Sequence, residues 1–264
     1  MKSLSHPNII SLKEPRIKAE LNRLSSTSSS QPTFSALTME YAAKGSFIKL
    51  IKSLKGLPED MARVYFLQLL DALDHLHNTC KICHRDIKLD NILLNGEFDL
   101  KLSDFGFARE FELPEKEDEG KLVGTTSYLL PEMIERRPYL ATSADLFALG
   151  ITLFGMVSCF LPFESAGPGD HIYWMLKKRK YADFWKTQAD RRSKLLPAEP
   201  EKTFSTEFKD LINRMLEHNP KQRLCNIKEI KNHPWCRGPL MEPETIATLI
   251  KDAGKTKRPR SKIF

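Results

Sequence analysis

Residues 84–91 read His84-Arg85-Asp86-Ile87-Lys88-Leu89-Asp90-Asn91, and residues 104–106 read Asp104-Phe105-Gly106. Between them lie two short apolar runs, Ile92-Leu93-Leu94 and Phe98 to Leu102, parted by Asn95-Gly96. Asn-Gly tolerates the left-handed backbone of a tight turn, so this stretch predicts a hairpin. Upstream, Met61, Phe66, Leu69, Leu70, Leu73 and Leu76 recur at helical spacing, and Pro58 suits a first helical turn. A helix is therefore expected from Pro58 to His77. Phe34 to Tyr41 alternates apolar and polar residues before Lys44-Gly45, the pattern of a strand and its exit. Downstream, Asp145 to Phe160 is apolar almost all round, which predicts a buried helix. Phe208 to Leu216, and Ile227 to His233 before Pro234-Trp235, read as two more helices. Ser25 to Ser30 reads as a flexible surface loop. The whole is a mostly helical body behind a strand-containing entry.

The chain has 264 residues, 41% of them hydrophobic and 28% charged, an ordinary composition for a globular protein. No apolar run approaches the ~20 residues of a membrane span, and the first residues lack the apolar core of a secretory signal. A reducing, cytoplasmic setting is expected, with the 5 cysteines as free thiols. Net charge is +7, but Lys251 to Phe264 holds six basic residues and one acid, which leaves the rest of the chain at only +2. That body carries no polyanion-binding signature, so neither nucleic acid nor membrane is an expected partner. The tail (Lys255, Lys257, Arg258, Arg260, Lys262) reads as a solvated segment, with a nuclear-import or docking role as the sharper alternative.

The ordered set of residues 84–91, Asp104-Phe105-Gly106, Pro131-Glu132, Asp145 and Arg223 resembles the eukaryotic-type Ser/Thr protein kinases. It matches their catalytic loop, metal-binding turn, activation segment and closing helices, from about His6 to Trp235. One tripeptide alone would be weak evidence, whereas the order and spacing together are specific. The resemblance implies an α+β, protein-kinase-like fold, with a complete, mostly helical large lobe and a small lobe reduced to a remnant. It assigns residues 1–236 to the kinase domain, with 1–43 as small-lobe remnant and hinge and 44–236 as large lobe. Residues 237–264 form the basic tail. The implied function is Mg2+-dependent transfer of the ATP γ-phosphoryl group to Ser/Thr hydroxyls of protein substrates.

By the same resemblance, Asp86 accepts the proton of the substrate hydroxyl and orients it, beside Arg85 in the catalytic loop. Lys88 neutralises charge on the transferred group and marks the Ser/Thr class, and Thr125 bridges Asp86 and Lys88. Asn91 and Asp104 offer hard oxygen atoms to Mg2+, and the hairpin between them folds both into one cleft. Met39, Glu40 and Ala42, with Tyr41, match the hinge that hydrogen-bonds adenine, and Leu93 is the apolar floor beneath the base. Asp145 caps the catalytic-loop backbone, and Glu132 and Arg223 form a buried ion pair. Phe147 stands where the family commonly has tryptophan, Leu130 replaces an alanine and Thr126 a frequent proline. The last two changes bear on the peptide-docking pocket and leave the chemistry intact.

The Gly-rich loop, strand lysine and helix glutamate of the family would precede His6-Pro7-Asn8, and the 264 residues contain none of them. Neither Lys13 nor Lys18 is a substitute. The expectation is an impaired kinase as written, with a catalytically weak scaffold that binds protein partners as the alternative. Asp90 implies at most a mild preference for basic residues before the target. His233-Pro234-Trp235 resembles the calcium/calmodulin-dependent kinase group. Cys80-Lys81-Ile82-Cys83-His84 also fits a haem-attachment pattern, which is set aside because His84 already belongs to the catalytic loop. The family's activation-segment phosphothreonine falls at Lys121, so Asp118 or Glu119 is expected to reach Arg85 in the phosphate's place.

Overall fold

The computed structural model describes residues 4–20, 33–197 and 203–255. The Ser25–Ser30 stretch and the tail beyond Lys255 lie outside the described residues, as do the side chains of Lys18 and Lys255. Strand β1 (Leu12–Glu20) pairs antiparallel with β2 (Thr33–Met39), in a register that sets Leu12 opposite Met39. The strand expected to run to Tyr41 ends two residues earlier, at Met39, and β3 (Gly45–Ser46) begins where the Lys44-Gly45 turn closes.

Helix α1 (Phe47–Leu54) leads into α2 (Glu59–Asp74). Pro58 precedes the first turn of α2, and Glu59 and Asp60 place negative charge at its positive end. The apolar stripe read from the sequence is buried: Met61, Phe66, Leu69, Leu70, Leu73 and Leu76. Beyond Asp74 the helix widens into a π turn, His75–Cys80, and ends on left-handed Lys81.

Strand β4 (Ile82–Cys83) pairs with β7 (Arg109–Glu110), and these two strands bracket the catalytic-loop stretch. Inside the bracket, β5 (Ile92–Leu94) and β6 (Leu100–Leu102) form the expected hairpin, with β3 on the other edge of β5. The turn differs from the Asn-Gly reading. The left-handed residue is Phe98, and the Asn95 side chain accepts from the N–H groups of Glu97 and Asp99. The turn is therefore closed by an Asx-type side-chain cap, not by glycine geometry. Asn8 to Ile10 continues the sheet on the β6 edge, with hydrogen bonds to Leu102 in both directions.

The rest is helical. Short α3 (Pro131–Ile134) precedes α4 (Ala141–Ser158), an 18-residue helix buried almost throughout. By length and composition α4 could cross a membrane, yet it stands as the central pillar of the core. Then come α5 (His171–Lys177), α6 (Tyr181–Leu195), α7 (Thr206–Met215), α8 (Ile227–Asn232) and α9 (Pro243–Lys255). Side-chain caps fix the starts of three: Asp170 for α5, Ser205 for α7 and Asn226 for α8. A turn of 3-10 helix, Pro234–Arg237, buries Trp235 against Phe66 and Phe208. Arg63 stacks on the Trp235 indole and donates to the carbonyls of Trp235 and Pro239.

Candidate active site

The catalytic-loop stretch is shaped by a carboxylate on α4. Asp145 accepts from the N–H groups of His84 (2.8 Å) and Arg85 (2.7 Å), and its Oδ2 lies 2.8 Å from His77 Nε2. These bonds hold Arg85 at φ 64°, a left-handed conformation that a side chain with Cβ adopts only when surroundings impose it. His84 is completely buried. Its Nδ1 accepts from Asp86 N–H, so Nε2 carries the proton and donates to Ser103 O at 3.0 Å. Burial pushes the His84 imidazole below its ordinary value, against the pull of Asp145, and keeps it neutral.

This backbone presents Asp86 to three side chains. Lys88 Nζ lies 2.7 Å from Asp86 Oδ2, Asn91 Nδ2 donates to the same oxygen at 3.0 Å, and Thr125 Oγ1 donates to Oδ1 at 2.9 Å. Lys88 also donates to Thr125 Oγ1 at 2.8 Å, which closes a ring of contacts. Burial alone would raise the Asp86 carboxyl. The hydrogen bonds from Lys88, Thr125 and Asn91 outweigh it and hold the group below its ordinary value, so it is ionised at neutral pH. Gly124 makes this approach possible. At φ +106°, a Cβ there would stand 2.8 Å from Arg85 O.

The residues with oxygen ligands sit across the hairpin. The Asn91 amide nitrogen is occupied by Asp86 O and Oδ2, which leaves Oδ1 as its acceptor. Ser103 donates through both N and Oγ to Asn91 O, and so ties the residue before Asp104 to Asn91. Asp104 is exposed at φ 63°, and among the described residues only a 3.3 Å contact from Gly106 N occupies its Oδ1. An all-oxygen donor pair of this kind fits Mg2+ and not a soft metal. A second cluster, His77, Cys83 and Asp145, has ligand atoms within 4.8 Å of one another. There the three donors to Asp145 already account for its carboxylate, so the cluster reads as structural.

At the hinge, Glu40 N–H donates to Ser11 O, and Ala42 O accepts from Gly45 N–H. The Glu40 carbonyl and Ala42 N–H form no hydrogen bond with another described residue, so both are free for a planar base. The Glu40 carboxylate turns away to Lys101 Nζ (2.7 Å) and to Ser11. Leu93 is half-buried between buried Ile92 and Leu94, on the opposite face of β5. Met39 ends β2 and is 52% exposed. Thus Asp86, Lys88, Thr125 and Asn91 come together, with Asp104 tied in through Ser103. The Arg85 side chain does not join them. Its Nε donates to Phe107 O at 2.6 Å.

The expected contact of Asp118 or Glu119 with Arg85 takes a different form. Asp118 is buried and pairs with Arg109 at 2.6 Å, while Glu119 is exposed. Sequence reasoning also missed His77, Ser103 and Lys101. These residues lie in or beside the predicted elements and the 104–106 motif, but they act through contacts that cross the fold, and nothing in the sequence names their partners.

A family profile described as "Protein kinase domain" matches residues 1–236. Among curated proteins, the chain is 34% identical over 236 residues to serine/threonine-protein kinase SAPK2 of Oryza sativa subsp. indica, covering 89% of this chain and 61% of that one. It is 32% identical over 245 residues to serine/threonine-protein kinase SRK2F of Arabidopsis thaliana, covering 92% and 62%. It is 33% identical over 236 residues to an abscisic acid-inducible protein kinase of Triticum aestivum, covering 89% and 62%. The chain therefore spans about three fifths of the length of these relatives. On the profile match, the relatives and the ring of contacts around Asp86, the chain belongs to the serine/threonine protein kinase family.

Proposed function

We propose that the protein transfers the γ-phosphoryl group of ATP to Ser/Thr hydroxyls of protein substrates. The observation that carries this reading is the Asp86 carboxylate, ionised and aimed by Lys88, Thr125 and Asn91. Asp86 accepts a hydrogen bond from the substrate hydroxyl and orients its oxygen for in-line attack. Lys88, on the same edge, neutralises charge on the group in transfer. Asn91 Oδ1 and the Asp104 carboxylate would hold Mg2+, which supplies charge neutralisation on the phosphates when bound. The free Glu40 carbonyl and Ala42 N–H would pair with the adenine edge over Leu93. Arg85 serves by position, through its strained backbone, and not by touching the reacting atoms.

The finer parts of the reading belong here as well. Residues 1–43 belong to the small lobe and hinge, 44–236 to the large lobe and 237–264 to a basic tail, in a protein of the cytoplasm whose tail directs nuclear import. Kinship with the calcium/calmodulin-dependent group is supported by His233-Pro234-Trp235, which the fold uses as a buried closing anchor. Exposed Asp90 supports a mild preference for basic residues before the target. The 264-residue polypeptide by itself, which holds no Gly-rich loop, should turn over slowly, since one lost preorganised donor commonly costs about 10²–10³ in rate.

The test is phosphate transfer from labelled ATP to Ser and Thr peptides by the whole protein. Asp86→Asn should lower turnover at least about a hundredfold with little change in ATP binding. Undiminished turnover in that variant removes Asp86 from its role. A wild-type protein that binds partners but transfers no phosphate would favour the scaffold reading.

A further inference from the structure

The segment between β7 and α3 is held by an internal carboxylate that the proposed chemistry does not use. Asp118 is 7% exposed, and its Oδ1 lies 2.6 Å from the Arg109 guanidinium. Its Oδ2 is buried and takes no hydrogen bond from the described residues. Its backbone pairs in both directions with Tyr139, at 2.8 and 3.2 Å. Tyr139 is itself buried, and its hydroxyl donates to Lys121 O at 3.0 Å, three residues further along the segment. Nearby, Glu115 accepts from Thr142 N and Oγ1 at the start of α4. Two acids thus clip one exposed segment to the body.

Both ends of this arrangement lead to the site. Arg109 pairs with Cys83 across β4 and β7, and Cys83 immediately precedes His84 and Arg85. The segment runs from Asp118 through Lys121 to Gly124 and Thr125, and Thr125 holds Asp86 and Lys88. A shift of the 118–121 turn would therefore be felt at Thr125.

We propose that Asp118 is a positioning residue: locked on Arg109 and Tyr139, it holds residues 118–125 where Thr125 meets Asp86 and Lys88, so the segment is ordered by the chain's own carboxylate without covalent modification. The proposal rests on the kinase reading for its catalytic consequence, but the latch itself has a readout that needs no activity. An unpaired anion at this depth would be costly, whereas an Asp–Arg contact there is charge-assisted and directional. The acidic residues around it, Glu117 and Glu119, are exposed and do not compete for Arg109.

The test compares wild type, Asp118→Asn, Asp118→Glu and Arg109→Gln in the whole protein. Trypsin cleavage after Lys116 and Lys121 reports opening of the segment, since cleavage tracks the open population. Asp118→Asn should speed cleavage there about tenfold with little change in melting temperature, Arg109→Gln should do the same with a lowered melting temperature because it leaves the buried Asp118 carboxylate unpaired, and Asp118→Glu should restore much of the protection. In the kinase assay the first two should raise the peptide KM about tenfold while the ATP KM holds, because misplaced positioning groups cost rate and affinity without touching the nucleotide. Phosphatase treatment should leave wild-type activity unchanged.

Unchanged cleavage and peptide KM in both variants would overturn the proposal, and so would loss of wild-type activity on dephosphorylation. Faster cleavage in a protein that never transfers phosphate would refute the kinase reading and leave the latch standing. If Asp118→Asn does not fold, Arg109→Gln carries the same comparison, read well below its own melting temperature, because the Arg109 side chain is 41% exposed.

Discussion

Replacing Arg223 with alanine should remove about a quarter or more of the stability of the fold. Arg223 Nη2 lies 2.8 Å from Glu132 Oε1, with only 1% and 3% of the two side chains exposed. The guanidinium also donates to Glu217 O at 2.7 Å and to His218 O at 3.0 Å, and it packs 5.1 Å from the centroid of Phe147. Glu132 Oε2 already lacks a partner among the described residues, so Arg223→Ala strands the whole carboxylate in the interior. Breaking a buried pair from one side costs about 3–5 kcal/mol. Each lost carbonyl bond nominally adds about 0.5–1.5 kcal/mol, but these contacts are coupled and will not sum. A loss of about 4 kcal/mol is therefore expected, from a total of about 5–15 kcal/mol for a typical domain. The double variant Glu132→Gln/Arg223→Met should recover much of the loss, because no charge is left buried. The assay is urea denaturation followed by tryptophan fluorescence, with the slope checked for constancy. A change within about 0.5 kcal/mol for Arg223→Ala would refute the argument, since that is the range of surface substitutions.

Stability should fall on acidification below neutral. Burial holds the imidazoles of His6, His84 and His218 below their ordinary value, so below about pH 6.5 the unfolded chain takes up protons that the native state resists. Asp86, held low by its partners, adds a loss in the same direction at more acid pH, and a urea midpoint higher at pH 5.5 than at pH 7.5 would contradict the sign. Iodoacetamide on the native protein should label exposed Cys225 first and half-buried Cys80 next. Burial raises the Cys83 thiol and pushes Cys236 up to about 12, so peptide mapping should find these two modified only after unfolding. Gly124→Ala places a methyl group against Arg85 O at positive φ, a strain of about 1–3 kcal/mol, and should depress peptide phosphorylation more than ATP binding.

Elements with a clear repeat were legible in the sequence. The α2 stripe, the all-round apolar α4 and a strand over Phe34 to Tyr41 were read from periodicity, and each is present, the strand as Thr33–Met39. Helix α6 was not seen, because two of its inward positions are polar: Gln188 donates to Pro162 O and Arg192 to Ser158 O. Those residues break the stripe that a period-3.6 reading needs. Helix α5 is only 7 residues long, too short for a pattern to rise above chance. The left-handed residue Arg85 stands where propensity points to glycine or asparagine; the tertiary hydrogen bond from its amide to Asp145 imposes the conformation. For the same reason the partner of Asp118 was misjudged. Order along the chain suggests which charges could meet, and only the pairing of β4 with β7 decides that Arg109, not Arg85, faces the segment.

The dependence of the catalytic loop on Asp145 also sets the timetable of its birth. Arg85 and its acceptor are 60 residues apart, and Arg223 follows its partner Glu132 by 91. At about 5–20 residues per second, the motif residues leave the ribosome about 3–12 s before α4 can supply the carboxylate that bends them. A nascent chain that stops short of α4 would carry His84 through Gly106 in full and still have no site, because the amides of His84 and Arg85 would face water. The assembled site is thus a late arrival in the synthesis of this chain.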